Sequence, residues 1–309
     1  MNAVLNVTAP VFSIVLLSFL LARSGVFGPS TSDGLTRFMF YVAIPAMLFR
    51  TLATAELPGS VPWTYIFAFY GPSFLVFGGT MLLASFNFRW ARRERGIAAI
   101  ASSYSNMVML GFPIVVTAFA EAGAVPLFIL LACQSTLIFP VTTWVIEIYG
   151  RDLAVAKSSL GHTLSNLIMN PVILSLLLGV TANLASIEIT GIPDRILEIL
   201  AAAGPACALV ALGSGLAQYE FRGDIRTAVI LSLCKCVLHP ALVWGSCRIL
   251  DVPTLWTQVA VLLAAMPTGI NAFIFARKYE AGVAVVSKTI LLSTLFSMFS
   301  VSYLLSRFL

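Results

Sequence analysis

Ten times along this chain, apolar residues run on for about the thickness of a lipid bilayer. The runs are 4–23, 34–55, 62–87, 96–120, 124–149, 162–184, 194–217, 225–249, 255–279 and 283–306, each bounded by charged residues or by Gly, Pro or Asp. A helix needs about 20 apolar residues to cross the hydrocarbon core, so the runs predict ten spans joined by short connections. Strands of a membrane β-barrel would alternate apolar and polar residues, and these runs do not. Of the 309 residues, 59% are apolar and 10% charged, with a mean hydropathy of +0.97. Soluble domains carry about 25% charged residues, and no water-soluble packing hides so much apolar surface. A soluble enzyme and a disordered chain are both excluded.

Basic residues orient the spans. Alternate connections on one side hold Arg23, Arg37, Arg89, Arg92, Arg93, Arg95, Arg151, Lys157, Arg222, Arg226, Arg277, Lys278 and Lys288, against Arg50, Arg195, Arg248 and Arg307 on the other. A division of 13 to 4 predicts both termini outside and the Arg89–Arg95 cluster in the cytoplasm, as a topology anchor rather than a nucleic-acid surface. The first run lacks a basic leader, so it reads as a span and not as a cleaved signal peptide. Five cysteines, Cys133, Cys207, Cys234, Cys236 and Cys247, all fall in apolar runs, where a thiol behaves as a small hydrophobe. The pair Cys234-x-Cys236 is too closely spaced for a zinc knuckle, and no metal site is expected.

The chain repeats itself. Pro10 matches Pro171 at an offset of 161, Pro45 matches Pro205 at 160, Glu121-Ala122-Gly123 matches Glu280-Ala281-Gly282 at 159, and Ile129-Leu130-Leu131 matches Ile290-Leu291-Leu292 at 161. Four matches in order predict two halves, 1–150 and 151–309, of five spans each. Five is odd, so the second half enters the membrane upside down, the architecture of secondary transporters.

Two spans are interrupted. The fourth carries Ser102-Ser103-Tyr104-Ser105-Asn106-Met107-Val108-Met109-Leu110-Gly111-Phe112-Pro113, and the ninth carries Ala265-Met266-Pro267-Thr268-Gly269-Ile270-Asn271-Ala272-Phe273. Proline lacks an N–H and clashes with the carbonyl four residues back; with Gly and polar neighbours at mid-span it opens the helix. Open backbone at that depth must be buried in protein or line a wet cavity. The repeat offset brings the two breaks into correspondence, exposing half-helix ends to one cavity. N-terminal ends hold an anion there, and C-terminal carbonyls a cation. Ser105, Asn106, Met107, Gly111, Pro113, Pro267, Thr268, Gly269, Ile270 and Asn271 are the candidate substrate-binding residues. Asn106 and Asn271 would orient the substrate, Pro113 and Pro267 would keep the helices open, and Gly111 and Gly269 would allow close backbone approach. Pro10, Pro45, Pro171 and Pro205 read as ordinary kinks.

The same residues carry a family likeness. Asn106, Gly111 and Pro113 resemble the fourth-helix motif of the auxin efflux carrier family. Met266-Pro267-Thr268-Gly269-Ile270, with Phe273, Phe275-Ala276 and Tyr279, is similar to the ninth-helix motif of plant PIN-type auxin exporters and bacterial malonate-type permeases. Tyr41-Val42-Ala43-Ile44-Pro45-Ala46-Met47-Leu48-Phe49 resembles the family's second helix. The resemblance spans essentially the whole chain. It implies an all-α membrane protein of ten transmembrane helices in two inverted five-helix repeats, with helices four and nine broken and crossed as in bile-acid sodium symporters. Scaffold and crossover subdomains drawn from both halves, and a homodimer through the scaffold, are implied too. So is a place for Asn106, Pro113 and Pro267 beside the substrate. Asn271 stands where the plant members usually have a second proline.

An ionisable group within a span is a functional candidate. Lys235 and His239, four apart in the eighth run and followed by Pro240, share one helix face. Proton uptake by His239, attraction of an organic anion by Lys235, electrostatic pairing across the bundle and snorkelling to the surface all remain open. Asp and Glu fall at span ends, which argues against a carboxylate-based proton antiporter. Uniport driven by membrane potential, His-linked coupling to H+ and carbonyl-bound Na+ remain. Gln134, Ser135, Ser293 and Thr294 could lend oxygen ligands. The expected function is transport of a small organic anion, a malonate-like or auxin-like carboxylate, through the plasma (inner) membrane by alternating access, with lipid and no nucleic acid as partners and no cofactor. An intramembrane enzyme is the alternative. It would need a metal or nucleophile constellation, and His162 and His239 are the only histidines.

Overall fold

The computed structural model describes residues 2–55, 62–87, 91–150, 171–219 and 224–308. The beginning of the sixth run, with His162 and Asn170, lies outside the described residues, as do Arg89, Arg151, Lys157, Arg222 and the side chains of Arg92 and Ser135. Among the described residues every regular element is helical. The helices are α1 (Asn2–Arg23), α2 (Pro29–Thr54), α3 (Trp63–Asn87), α4 (Arg92–Ser103), α5 (Phe112–Phe119), α6 (Ala124–Gly150), α7 (Pro171–Leu184), α8 (Ile192–Leu216), α9 (Ile225–Ile249), α10 (Thr254–Ala264), α11 (Asn271–Lys278) and α12 (Val283–Phe308). One isolated antiparallel bridge, Ser105 with Thr268, joins extended backbone.

Seven helical stretches are long and apolar enough to cross a membrane: Val4–Arg23, Pro29–Thr54, Trp63–Phe86, Met107–Glu147, Ile192–Leu216, Ile225–Ile249 and Val283–Phe308. Seven is fewer than the ten apolar runs, for identifiable reasons. The fourth and ninth runs are each divided by non-helical backbone, α4 from α5 and α10 from α11. The sixth is described only from Pro171, leaving a shorter apolar helix to Leu184.

The packing is that of a membrane protein. Leu16, Leu17, Leu20, Phe67, Leu75, Leu82, Leu177, Leu178 and Phe299 are exposed, whereas Ser73, Thr142, Thr227, Ser232, Thr289, Ser293 and Ser297 are fully buried. Their hydroxyls mostly bond a carbonyl one turn back, as they must where water is absent. Helix α10 is the innermost element: Val259 through Met266 is buried on every face, which only an all-round apolar sequence tolerates. Helices α1, α2, α7 and α8 pack chiefly on one another, while α3, α4, α6, α9, α10 and α12 form a second group.

Three widened (π) turns interrupt the helices, at Met39–Ala43, Met107–Gly111 and Cys234–Leu238. Each ends two residues before a proline: Pro45, Pro113 and Pro240. The cause is local. A proline ring clashes with the carbonyl four residues back and offers it no N–H. Widening the turn moves that carbonyl aside, and the chain bonds one residue further on: Ile44 N to Met39 O, Phe112 N to Met107 O and His239 N to Cys234 O. Pro45 therefore does more than kink α2.

Candidate functional site

Helix α4 stops where its hydroxyls compete with its backbone. Ser102 and Ser103 both bond back to Ala99 O, at 3.0 and 2.8 Å, and Tyr104 then turns to extended backbone. At the other break Pro267 ends α10 and Thr268 is extended. The two extended segments pass each other antiparallel. Asn106 N donates to Pro267 O and Gly269 N to Tyr104 O, both at 2.9 Å.

Side chains secure the crossing from both sides. Thr268 Oγ1 donates to Ala101 O at 2.6 Å, and Thr268 N donates to Ser293 Oγ at 3.1 Å. Gln134 Nε2, on α6, donates to Ser105 O at 2.6 Å. Asn271 Nδ2 donates to Tyr104 OH at 2.8 Å. Both glycines sit where backbone and rings close in. A Cβ on Gly269 would lie 2.5 Å from the Tyr104 ring, and one on Gly111 would lie 2.8 Å from Leu263. Ser105, Asn106, Met107, Gly111, Pro113, Pro267, Thr268 and Gly269 are buried; Ile270 and Asn271 are half-buried.

Asn106 differs from its neighbours in what it leaves unbonded. Its Oδ1 accepts Met109 N at 3.2 Å and so caps the helical segment that continues into α5, which also fixes the amide's orientation, since an N–H needs an acceptor. Its Nδ2 has no partner although the residue is only 5% exposed, and Ser105 Oγ is likewise buried and unpartnered. An amide with two idle donors and the first turn of a helix meet here, a combination suited to an anion.

Lys235 and His239 lie apart from these residues but reach the same break. Lys235 Nζ donates to Ala264 O at the end of α10, and lies 3.2 Å from His239 Nδ1. His239 Nε2 is 2.9 Å from Ser73 Oγ on α3. Both Lys235 and His239 are fully buried, so Lys235 does not snorkel. Among the described residues no group of three or more His, Cys, Asp or Glu gathers to hold a metal ion.

Comparison with known proteins decides the family. A family model described as "Membrane transport protein" matches residues 3–305. The chain belongs to this family. The resemblance to auxin efflux carriers read from the interrupted runs is borne out. Among its relatives are a Rhizobium meliloti protein provisionally named a malonate transporter, 28% identical over 99% of this chain and 96% of the relative. An uncharacterized transporter of Methanothermobacter thermautotrophicus is 28% identical over 94% and 93%. Auxin efflux carrier component 8 of Arabidopsis thaliana is 22% identical over 96% and 94%. As a member of this transport family the protein is an integral membrane protein, and the three relatives above bear transporter or efflux-carrier names.

Two contributors escaped the sequence reading. Tyr104 holds both Gly269 N and Asn271, yet a tyrosine in a polar run does not disclose where its hydroxyl turns. Ser73 holds His239 from another helix, and nothing in the local pattern of α3 marks it out.

Proposed function

We propose that this membrane transport protein carries a small organic anion, a carboxylate of the malonate or auxin kind, by alternating access. The observation that carries the reading is the buried, unpartnered Nδ2 of Asn106 at the crossing of the two breaks. A donor left unmade in a dry interior costs about 1–3 kcal/mol, and a bound carboxylate oxygen would remove that cost. The helical segment behind Asn106 adds its positive N-terminal end. In this reading Asn106 grips the anion and Ser105 Oγ offers a second contact. Asn271, already bonded to Tyr104, shapes the site, and Met107 and Ile270 wall it. Pro113 and Pro267 hold the backbone open, Gly111 and Gly269 permit the close pass, and Thr268 and Gln134 keep the crossing in register. The names of the Rhizobium and Arabidopsis relatives support the choice of cargo.

The wider architecture proposed is ten transmembrane helices as two inverted five-helix repeats, 1–150 and 151–309. Asn106 and Pro267, bonded to each other, stand 161 positions apart, the offset of two of the sequence matches, so the crossing falls where a pseudo-twofold axis would pass. The group α1, α2, α7 and α8 would serve as the scaffold and the dimer face, with the second group moving against it. Both termini would lie outside the plasma membrane.

The deciding experiment is uptake of radiolabelled malonate and indole-3-acetate by liposomes holding the purified protein. Wild type should accumulate at least one of them. Asn106→Ala, reconstituted in equal amount, should lose at least ~10-fold, the value of one hydrogen bond to a charged group. Equal uptake by the variant would remove Asn106 from the site, and no uptake of any carboxylate by wild type would end the anion reading.

A further inference from the structure

We infer that the Lys235 ammonium is a built-in cation that closes the carbonyl end of α10, so that no diffusible metal cation is needed there. The inference draws its functional meaning from the transport reading, but its geometry and its test do not depend on it.

Helix α10 ends inside the protein, and its last carbonyls need partners. Val261 O and Leu262 O accept from Ala265 N, and Leu263 O accepts from Met266 N. In an unbroken helix Ala264 O would receive Thr268 N, four residues on. Thr268 N turns to Ser293 Oγ instead. Ala264 O is thereby left over in a fully buried residue, where a missing partner costs several kcal/mol. Lys235 Nζ supplies it.

A buried ammonium needs compensation of its own. The one buried carboxylate among the described residues, Glu147, is bonded to Tyr279 OH at 3.1 Å, and no described acid pairs with Lys235. What faces the ammonium is the Ala264 carbonyl, the negative end of the α10 dipole, and His239 Nδ1. One assignment satisfies every group and runs in one direction: Lys235 Nζ donates to His239 Nδ1 (3.2 Å), His239 Nε2 to Ser73 Oγ (2.9 Å), and Ser73 Oγ to Phe69 O (2.8 Å). That direction requires a neutral imidazole with its proton on Nε2. A doubly protonated ring would turn an N–H toward the ammonium. The imidazole thus adds no charge of its own, and the one cationic group is the Lys235 side chain, fixed covalently at the place where the end of a discontinuous helix can coordinate Na+.

The test is thermal unfolding of the purified protein in detergent, in sodium, methylammonium or choline chloride at constant ionic strength. Wild type should melt alike in sodium and choline. Lys235→Ala should melt at least ~5 °C lower and regain part of the loss in methylammonium or sodium relative to choline, because a small cation enters the vacated space and choline does not fit. Lys235→Met, which fills the space without charge, should show the loss without the recovery. Wild type stabilised by sodium over choline would overturn the inference. So would Lys235→Ala recovering in neither small cation, or Lys235→Met melting like wild type. If Lys235→Ala yields no folded protein, the wild-type and Lys235→Met measurements decide. None of these readings uses transport. Sodium-dependent carboxylate uptake by wild type would defeat this inference and leave the transport reading standing.

Discussion

At the scale of single residues, the crossing depends on what is missing as much as on what is present. Gly269 has no side chain because the Tyr104 ring occupies that space. Gly269→Ala should destabilise the protein by about 1–3 kcal/mol, the usual cost of overpacking, and should reduce uptake. Gly78 on α3 is the control, since a Cβ there meets nothing within 4 Å. Gly78→Ala should be neutral or stabilising by up to about 1 kcal/mol, and denaturation of both variants in detergent checks the contrast. The backbone-breaking residues were readable from sequence because few residue types open a helix at mid-membrane: Pro113, Pro267, Gly111 and Gly269 announce themselves. Asn106 was readable as a polar group that must find a use. Tyr104 and Ser73 were not, because their roles depend on partners far away in the chain, Asn271 and His239, whose position only the packing reveals.

At the scale of helices, a proline alone does not determine the outcome. Pro45, Pro113 and Pro240 each follow a widened turn, whereas Pro10, Pro72, Pro140 and Pro205 sit inside helices without one, and no local sequence feature separates the two sets. The widened turn at Cys234–Leu238 carries Lys235, so its consequence reaches the crossing. Helix starts were more legible. Asp224 caps α9 by accepting Arg226 N and Thr227 N at 3.1 and 3.2 Å, and it also accepts the Thr227 hydroxyl. The Thr227 hydroxyl holds its carboxyl below the usual range, with the two backbone N–H groups assisting. Asp224→Ala should therefore cost about 1 kcal/mol near neutral pH. A depressed carboxyl stabilises the fold above its unfolded value, so the gap between variant and wild type should be full above about pH 4 and close as the pH falls further. Denaturant midpoints measured down the acid range read this directly.

At the scale of the whole molecule, ten apolar runs were visible in the sequence, and helices lie along all of them within the described residues, yet only seven stretches meet the length and composition of a span. The shortfall arises at the breaks, which a hydropathy reading bridges and backbone geometry does not, and at the sixth run, described only from Pro171. The 13-to-4 division of basic residues predicts the orientation. A cysteine replacing exposed Glu188, between α7 and α8, should react with a membrane-impermeant maleimide on intact cells. One replacing exposed Lys278, at the end of α11, should react only after permeabilisation. The unmodified protein, whose described cysteines lie in helices, sets the background, and the reverse pattern would invert the assignment. One feature of the crossing bears on how such a carrier diversifies. Its two central bonds, Asn106 N to Pro267 O and Gly269 N to Tyr104 O, belong to the peptide chain and are untouched by most side-chain substitutions. Descendants of one ancestor can therefore exchange the surrounding groups while the junction itself stays tied.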